Sequence, residues 1–172
     1  MINTARHISY EATGSFSKMV LDYLNGAAAL QPFYTHPVSV VGIKAAIEDR
    51  KKYATNRKLL VDVLQKHYET INTPEKVKAN INLLLSKNTF TVTTAHQPNI
   101  FTGHLYFIYK ILHTIKLCEK LKAKMPENNF VPVFYMGSED ADLEELGHVY
   151  INGIKHEWKT KQTGAVGRMK VD

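Results

Sequence analysis

The sequence predicts an α/β fold: a parallel strand–helix–strand unit preceded by an α-helical N-terminal segment. Three observations carry this. Thr89–Ala95 (TFTVTTA) alternates and is rich in β-branched residues, a helical run follows from about His104 to Lys124, and Phe130–Met136 (FVPVFYM) is a second near-continuous apolar strand. A unit of this length is normally a crossover between parallel neighbours. Ligands of such sheets bind beyond the carboxyl ends of the strands. Two polar strings fall there: His96-Gln97-Pro98-Asn99-Ile100-Phe101-Thr102-Gly103-His104 and Gly137-Ser138-Glu139-Asp140-Ala141-Asp142.

The elements before the unit read as helices. Ser15–Leu24 makes a short helix ended near Asn25-Gly26, and Gln31-Pro32 through His36-Pro37 reads as extended or turn structure, since a residue before proline avoids the helical region. Ile43 to Ile71 is helical, with Ile43, Ala46 and Ile47, then Leu59, Leu60, Val63, Leu64 and His67 at three-to-four spacing. Thr55 is a candidate N-cap within it, so one helix or two are both open. Thr73-Pro74-Glu75 starts a further helix carrying Val77, Ile81, Leu84 and Leu85 and ending near Asn88. Residues 1–88 thus read as a helical lead-in packing on the core, and 89–172 as the start of the core itself. Val149–Ile151, Asn152-Gly153 and Ile154–Lys159 read as a hairpin on an Asn-Gly turn. Two parallel strands and one hairpin make a small sheet for this class. The chain is therefore expected to be an N-terminal piece of a longer protein.

Composition narrows the function. At 172 residues and 44% hydrophobic content the chain can bury one moderate core. No run approaches the roughly 20 apolar residues that span a bilayer, and Met1–Tyr10 lacks a signal-peptide core. One cysteine, Cys118, excludes an internal disulfide framework and a multi-cysteine zinc site. A cytoplasmic location is expected. The net charge of +6 comes from 18 lysines and only four arginines, Arg6, Arg50, Arg57 and Arg168. Base-edge readout favours arginine, so this points to a solvated lysine surface. Lys110, Lys116, Lys120, Lys122 and Lys124 also complement the dipole of their helix.

The two strings carry the chemistry. A loop leaving a strand for a helix N-terminus offers free N–H groups and the positive end of the dipole to an anion. His96 and His104 could donate to phosphate oxygens there, or could simply cap and bond the loop; Lys110, two turns on, has a doubtful reach. Neither a G-x-G-x-x-G nor a P-loop pattern is present. In the second string three carboxylates within four positions repel one another unless they meet a cation, an amine or a hydroxyl-rich ligand. The alternative is an acidic first turn for a helix Leu143–Leu146, capped by Ser138 or Asp140. Cys118 reads as a buried hydrophobe, His113 as structural, His148 as a surface histidine, and Tyr106, Phe107, Tyr109 and Trp158 as packing residues.

At these residues the chain resembles the bacillithiol biosynthesis cysteine-adding enzymes. Thr94-Ala95-His96-Gln97-Pro98-Asn99 through Gly103-His104-Leu105-Tyr106, with Lys110, is similar to that family's glutamine-bearing loop, Thr-Gly, Leu-Tyr and lysine. Val131 to Glu145 is similar to its second strand with a Gly-Glu-Asp-x-Asp ending, at matching spacing, and the likeness is clearest from about Thr89 to Leu146. The resemblance implies a partial Rossmann-like sheet related to class I aminoacyl-tRNA synthetases and nucleotidyl transferases. It implies a ligase that joins cysteine to glucosaminyl-malate in the last step of bacillithiol formation, with ATP or another nucleotide as activator. His104 and Asp140 would be catalytic, Gly103-His104 matching the end of a HIGH-type phosphate signature. His96, Gln97, Asn99, Gly103, Tyr106, Lys110, Gly137, Glu139 and Asp142 would bind substrate or nucleotide, with no metal ligand assigned. The implied partners are small molecules, neither nucleic acid nor membrane, and the full-length form would dimerise through a C-terminal coiled coil. The chain departs from the pattern at Ala141, where the family carries histidine, and has no KMSKS-type string. A nucleotidyl transferase of the same superfamily and a non-catalytic binding module are the rival readings.

Overall fold

The computed structural model describes residues 4, 6–99 and 103–171. Ile100-Phe101-Thr102 of the first polar string lie outside the described residues, as do Met1–Asn3, Ala5 and Asp172. The chain divides into two compact units, residues 1–55 and 56–172.

The first unit holds helices α1 (Lys18–Leu24) and α2 (Val40–Lys51). Each begins at a serine, whose hydroxyl accepts from an otherwise unpaired first-turn amide: Ser17 from Val20 N, and Ser39 from Gly42 N at 3.0 Å. Gly42 is required by packing, since a Cβ there would lie 1.9 Å from the Pro37 carbonyl oxygen. Asp49 takes His36 Nε2 at 2.8 Å, and its hydrogen bond with Lys52, then that with His36, lowers its pKa. Of the two conformations open to Gln31-Pro32, extended or turn, the chain takes a 3-10 turn, Ala28–Phe33. The tighter turn accepts a proline that an α-helix interior would reject.

The second unit runs α3 (Arg57–Tyr68), α4 (Glu75–Leu83), β1 (Thr89–His96), α5 (Leu105–Lys124), β2 (Asn129–Met136), α6 (Leu143–Leu146), β3 (His148–Ile151) and β4 (Ile154–Glu157). The helical stretch is thus two helices. Its cap is Asn56, whose side chain accepts from Leu59 N at 3.1 Å; Thr55 is spent on the Arg50 guanidinium. α4 starts one residue later and ends five residues sooner than expected, with Pro74 at the cap position and Leu83 last. Thr73 does not cap it: its hydroxyl donates to the Tyr68 and Ile71 carbonyls and closes the α3–α4 turn.

β1 and β2 pair in parallel over their whole length, Thr89 opposite Asn129 and His96 opposite Met136. Alternation sends neighbouring side chains of β2 to opposite faces. Val131 and Val133 join Val61, Leu64, Val77, Ile81 and Leu84 of α3 and α4 in the apolar core. On the other face Phe134 meets Phe107 of α5 edge-on at 5.4 Å. The buried residue of α3 is Val61, at 2% exposure, whereas Leu59, Leu60 and Val63 stay at 40% or more. Of the expected apolar face Leu64 packs against the core, while Val61, outside that pattern, is the buried residue.

Arg57 ties the layers together. Its guanidinium donates to the carbonyls of Leu84 (2.9 Å), Thr89 (3.1 Å) and Lys87 (3.4 Å), at the end of α4 and the entry to β1. Lys122 does the same beyond α5, donating to Pro126 O, Asn128 O and Asn129 Oδ1. Lys116 pairs with Glu119. These lysines of the cationic helix thus serve the chain itself. The hairpin β3–β4 forms on Asn152 (φ 51°) and Gly153 (φ 79°), the left-handed pair that a two-residue turn demands.

Candidate functional site

The parallel register brings the ends of β1 and β2 side by side, so the two polar strings leave the sheet together. The backbone joins them at once: Gly137 N donates to His96 O at 2.9 Å. Between them lies an open cleft of about 560 Å³, bordered by the Ala95 and Gly137 backbone and by His96, Gln97, Tyr135, Glu139, Asp140 and Glu145. Among the described residues, the strand ends thus form the polar cleft expected of an open α/β sheet.

The first loop is built around Asn99. Its side-chain amide donates to Gln97 O (3.0 Å) and to His96 Nδ1 (3.0 Å), folding the chain back over the strand end. Gly103 is held at φ 63°, and a Cβ there would lie 2.4 Å from Asn99 Oδ1. Only glycine fits, on both counts. His104 is the N-cap of α5 without a side-chain capping bond. Instead its ring stacks on Tyr106 at 5.8 Å and 8° and meets His148 edge-on at 5.8 Å. Of the first-turn amides, that of Phe107 donates to His104 O at 3.0 Å. Lys110, whose reach to an anion is doubtful on sequence grounds, donates to Ala95 O, the last residue before His96 in β1.

The second loop meets the first through Glu145. One carboxylate oxygen accepts from the Tyr106 hydroxyl, the other from Gln97 Nε2 at 3.0 Å. His96 Nε2 lies 2.6 Å from the Tyr106 oxygen and 3.4 Å from the Glu145 carboxylate. Burial and the bond to Glu145 push the Tyr106 hydroxyl up to about 12. Gln97 is 5% exposed, and its Oε1 has no hydrogen-bond partner among the described residues. Glu139 accepts from Tyr135 at 3.1 Å, again restraining a tyrosine at the cleft rim.

The acidic string divides its labour. Asp142 caps α6 by accepting from Glu145 N at 3.1 Å; neither Ser138 nor Asp140 does so. Asp140 accepts from its neighbour Ala141 N at 2.8 Å, and its carbonyl takes Val166 N at 2.8 Å. Gly167 N donates to Ser138 O at 2.9 Å, so the 3-10 turn Val166–Arg168 clips the loop in place. Among the described residues no three His, Cys, Asp or Glu converge as a metal site. Of the expected site residues, His96, Gln97, Gly137, Glu139 and Asp140 border the cleft. Asn99, Gly103, Tyr106 and Lys110 support the loop, Asp142 supports α6, and His104 stands at the α5 N-terminus. Cys118 is buried, with its thiol pushed up to about 11.

Sequence reasoning missed Glu145 and Tyr135. A signal for Glu145 existed. Asp142-Leu143-Glu144-Glu145 is a capping pattern, an acceptor followed three residues later by glutamate. Such a glutamate normally reaches back to the cap's own amide; here it reaches across to the other loop.

The structure therefore defines an α/β domain whose parallel strand ends present a carboxylate-rich, histidine-bearing cleft beside a helix N-terminus. The family model for the bacillithiol biosynthesis BshC N-terminal Rossmann-like domain matches residues 4–172. The chain belongs to this family. It is 46% identical over 165 residues to a Flavobacterium psychrophilum protein named "Putative cysteine ligase BshC", covering 94% of this chain and 31% of that protein. Proteins of the same name from Cytophaga hutchinsonii (47% over 161 residues; 94% and 31%) and Flavobacterium johnsoniae (41% over 167; 96% and 32%) are similar to it. The chain spans about a third of the length of these curated relatives.

Proposed function

We propose that this domain provides part of the active site of a cytoplasmic ligase that joins cysteine to glucosaminyl-malate, the last step of bacillithiol formation. The observation that carries the reading is the meeting of the two family strings in one cleft, tied by Glu145 to Gln97 and Tyr106. Amide formation needs an activated carboxyl group, an amine held as nucleophile, and an acceptor for the amine's proton. Glu139, Asp140 and Glu145 suit a cationic amine electrostatically, and the His96 ring lies beside them.

ATP or another nucleotide would supply carboxylate activation. The first turn of α5, a helix of 20 residues whose cap makes no side-chain bond, fits a phosphate or carboxylate. The carboxylates of the cleft do not, because like charges repel. His104, Gly103 and the α5 amides would therefore hold the anion, while His96, Gln97, Glu139 and Asp140 hold the amine. Asp142, Asn99 and Lys110 keep the loops in shape. Homodimerisation through a C-terminal coiled coil belongs to the full-length form, with small molecules rather than nucleic acid as partners. No described helix is long and apolar enough to cross a membrane.

The test is direct. Full-length protein is incubated with cysteine and glucosaminyl-malate, with and without ATP, and the amide product is followed by mass spectrometry. Product formation that falls on the order of 10²-fold in Asp140→Ala or His104→Ala supports the reading. No product with any nucleoside triphosphate sinks it.

A further inference from the structure

The hydrogen-bond directions around His96 are set by its neighbours. Asn99 Nδ2 faces the Gln97 carbonyl, which can only accept, so this atom is the amide nitrogen, and it donates also to His96 Nδ1 at 3.0 Å. At the other end, the Tyr106 proton is committed to the Glu145 carboxylate, which can only accept. The Tyr106 oxygen must then accept from His96 Nε2, 2.6 Å away. Neutral His96 therefore carries its proton on Nε2 and its lone pair on Nδ1. The same carboxylate takes Gln97 Nε2, which leaves Oε1 as that side chain's acceptor without a partner among the described residues.

A competing arrangement is built in. Gln97 O lies 3.1 Å from His96 Nδ1 and would receive a proton placed there. If the Tyr106 hydroxyl lost its acceptor, it could turn to donate to Nε2, and the ring proton would move to Nδ1. Two groups oppose that exchange: Glu145 holds the Tyr106 proton at one end of the ring, and the Asn99 amide donates to Nδ1 at the other.

We propose that Glu145 is a positioning residue, holding His96 in the Nε2–H tautomer through Tyr106 and the Gln97 amide in one orientation. The site thereby keeps one acceptor, Gln97 Oε1, for an N–H-bearing substrate group, while His96 Nδ1 takes the Asn99 amide. This goes deeper into the amine side of the ligase reading and rests on it for the substrate class, though the tautomer does not.

The experiment is 15N NMR of histidine-labelled chain, with the His96 signals assigned by their loss in His96→Gln. Wild type shows the Nε2–H pattern. Glu145→Ala moves it to Nδ1–H, and Glu145→Gln, which keeps an oxygen for Tyr106, retains the wild-type pattern. In the full-length enzyme Glu145→Ala lowers kcat for cysteine addition on the order of 10²-fold with a smaller change in KM, and Glu145→Gln restores most of it. If the alanine variant fails to fold, Glu145→Met keeps the volume without the acceptor and gives the same reading. An unchanged tautomer in these variants overturns the proposal, as does a tautomer switch with no loss of kcat. A switch in a wild-type protein that forms no product leaves the positioning role standing and removes the ligase reading.

Discussion

Tyr106→Phe removes a single oxygen from the centre of the site, and the geometry predicts a small effect. The hydroxyl donates to Glu145 and accepts from His96. A hydrogen bond to a charged group contributes about 1.5–3 kcal/mol when both partners are dry. Tyr106 is 42% exposed, so water can replace the lost donor at the carboxylate. His96 Nε2 already lies 3.4 Å from Glu145 and can close that gap to donate directly. The ring, with its stacking on His104, is kept. The net loss should be about 1 kcal/mol, or roughly 2–4 °C in melting temperature for a chain of this size. Urea unfolding of wild type and variant, followed by Trp158 fluorescence and by circular dichroism, measures it. His96 should keep the Nε2–H tautomer, because the carboxylate now receives that proton. A loss above about 2.5 kcal/mol, or a tautomer change, would refute the reasoning, since either would mean the hydroxyl has no substitute. Tyr106→Ala, which also deletes the stacked ring, should cost more.

Arg57→Ala removes a guanidinium that donates to three carbonyls, two of them within 3.1 Å, and should lower stability by about 2–3 kcal/mol in the same unfolding assay; Arg57→Lys should recover only part, lacking the fork. Gly103→Ala must adopt φ 63° with its Cβ on the Asn99 side chain, at about 1–2 kcal/mol for the backbone alone; product formation should fall with stability because Asn99 is displaced from His96. Cys118 should resist thiol reagents at pH 8 until the chain unfolds, since burial raises the thiol from 9.0 to about 11. The sign follows: the associated stability is present below about pH 9 and is lost as pH rises through the folded value near 11. Rapid labelling of the folded chain at pH 8 would contradict this.

Local pattern and covalent geometry made much of this protein legible in advance. Alternation in Thr89–Ala95 and the apolar run Phe130–Met136 became β1 and β2, because a two-residue period is imposed by the strand itself. The Asn-Gly turn became the β3–β4 hairpin for the same kind of reason, since its two left-handed residues are a property of the dipeptide. The meeting of the two polar strings was legible because a parallel register must place both strand ends on one edge. What failed were choices between neighbouring candidates of similar local merit: Asn56 over Thr55, Asp142 over Ser138 or Asp140, Val61 over Leu59 and Val63. Each depends on contacts beyond the segment itself, α3 packing on α4 and α6 on β3. Glu145 is the clearest case. Its capping pattern marks its place in the first turn of α6, but its role as the acceptor for Gln97 and Tyr106 depends on groups 48 and 39 residues away. Pattern determines what a segment can be; only the close approach of two distant loops decides which carboxylate meets which proton.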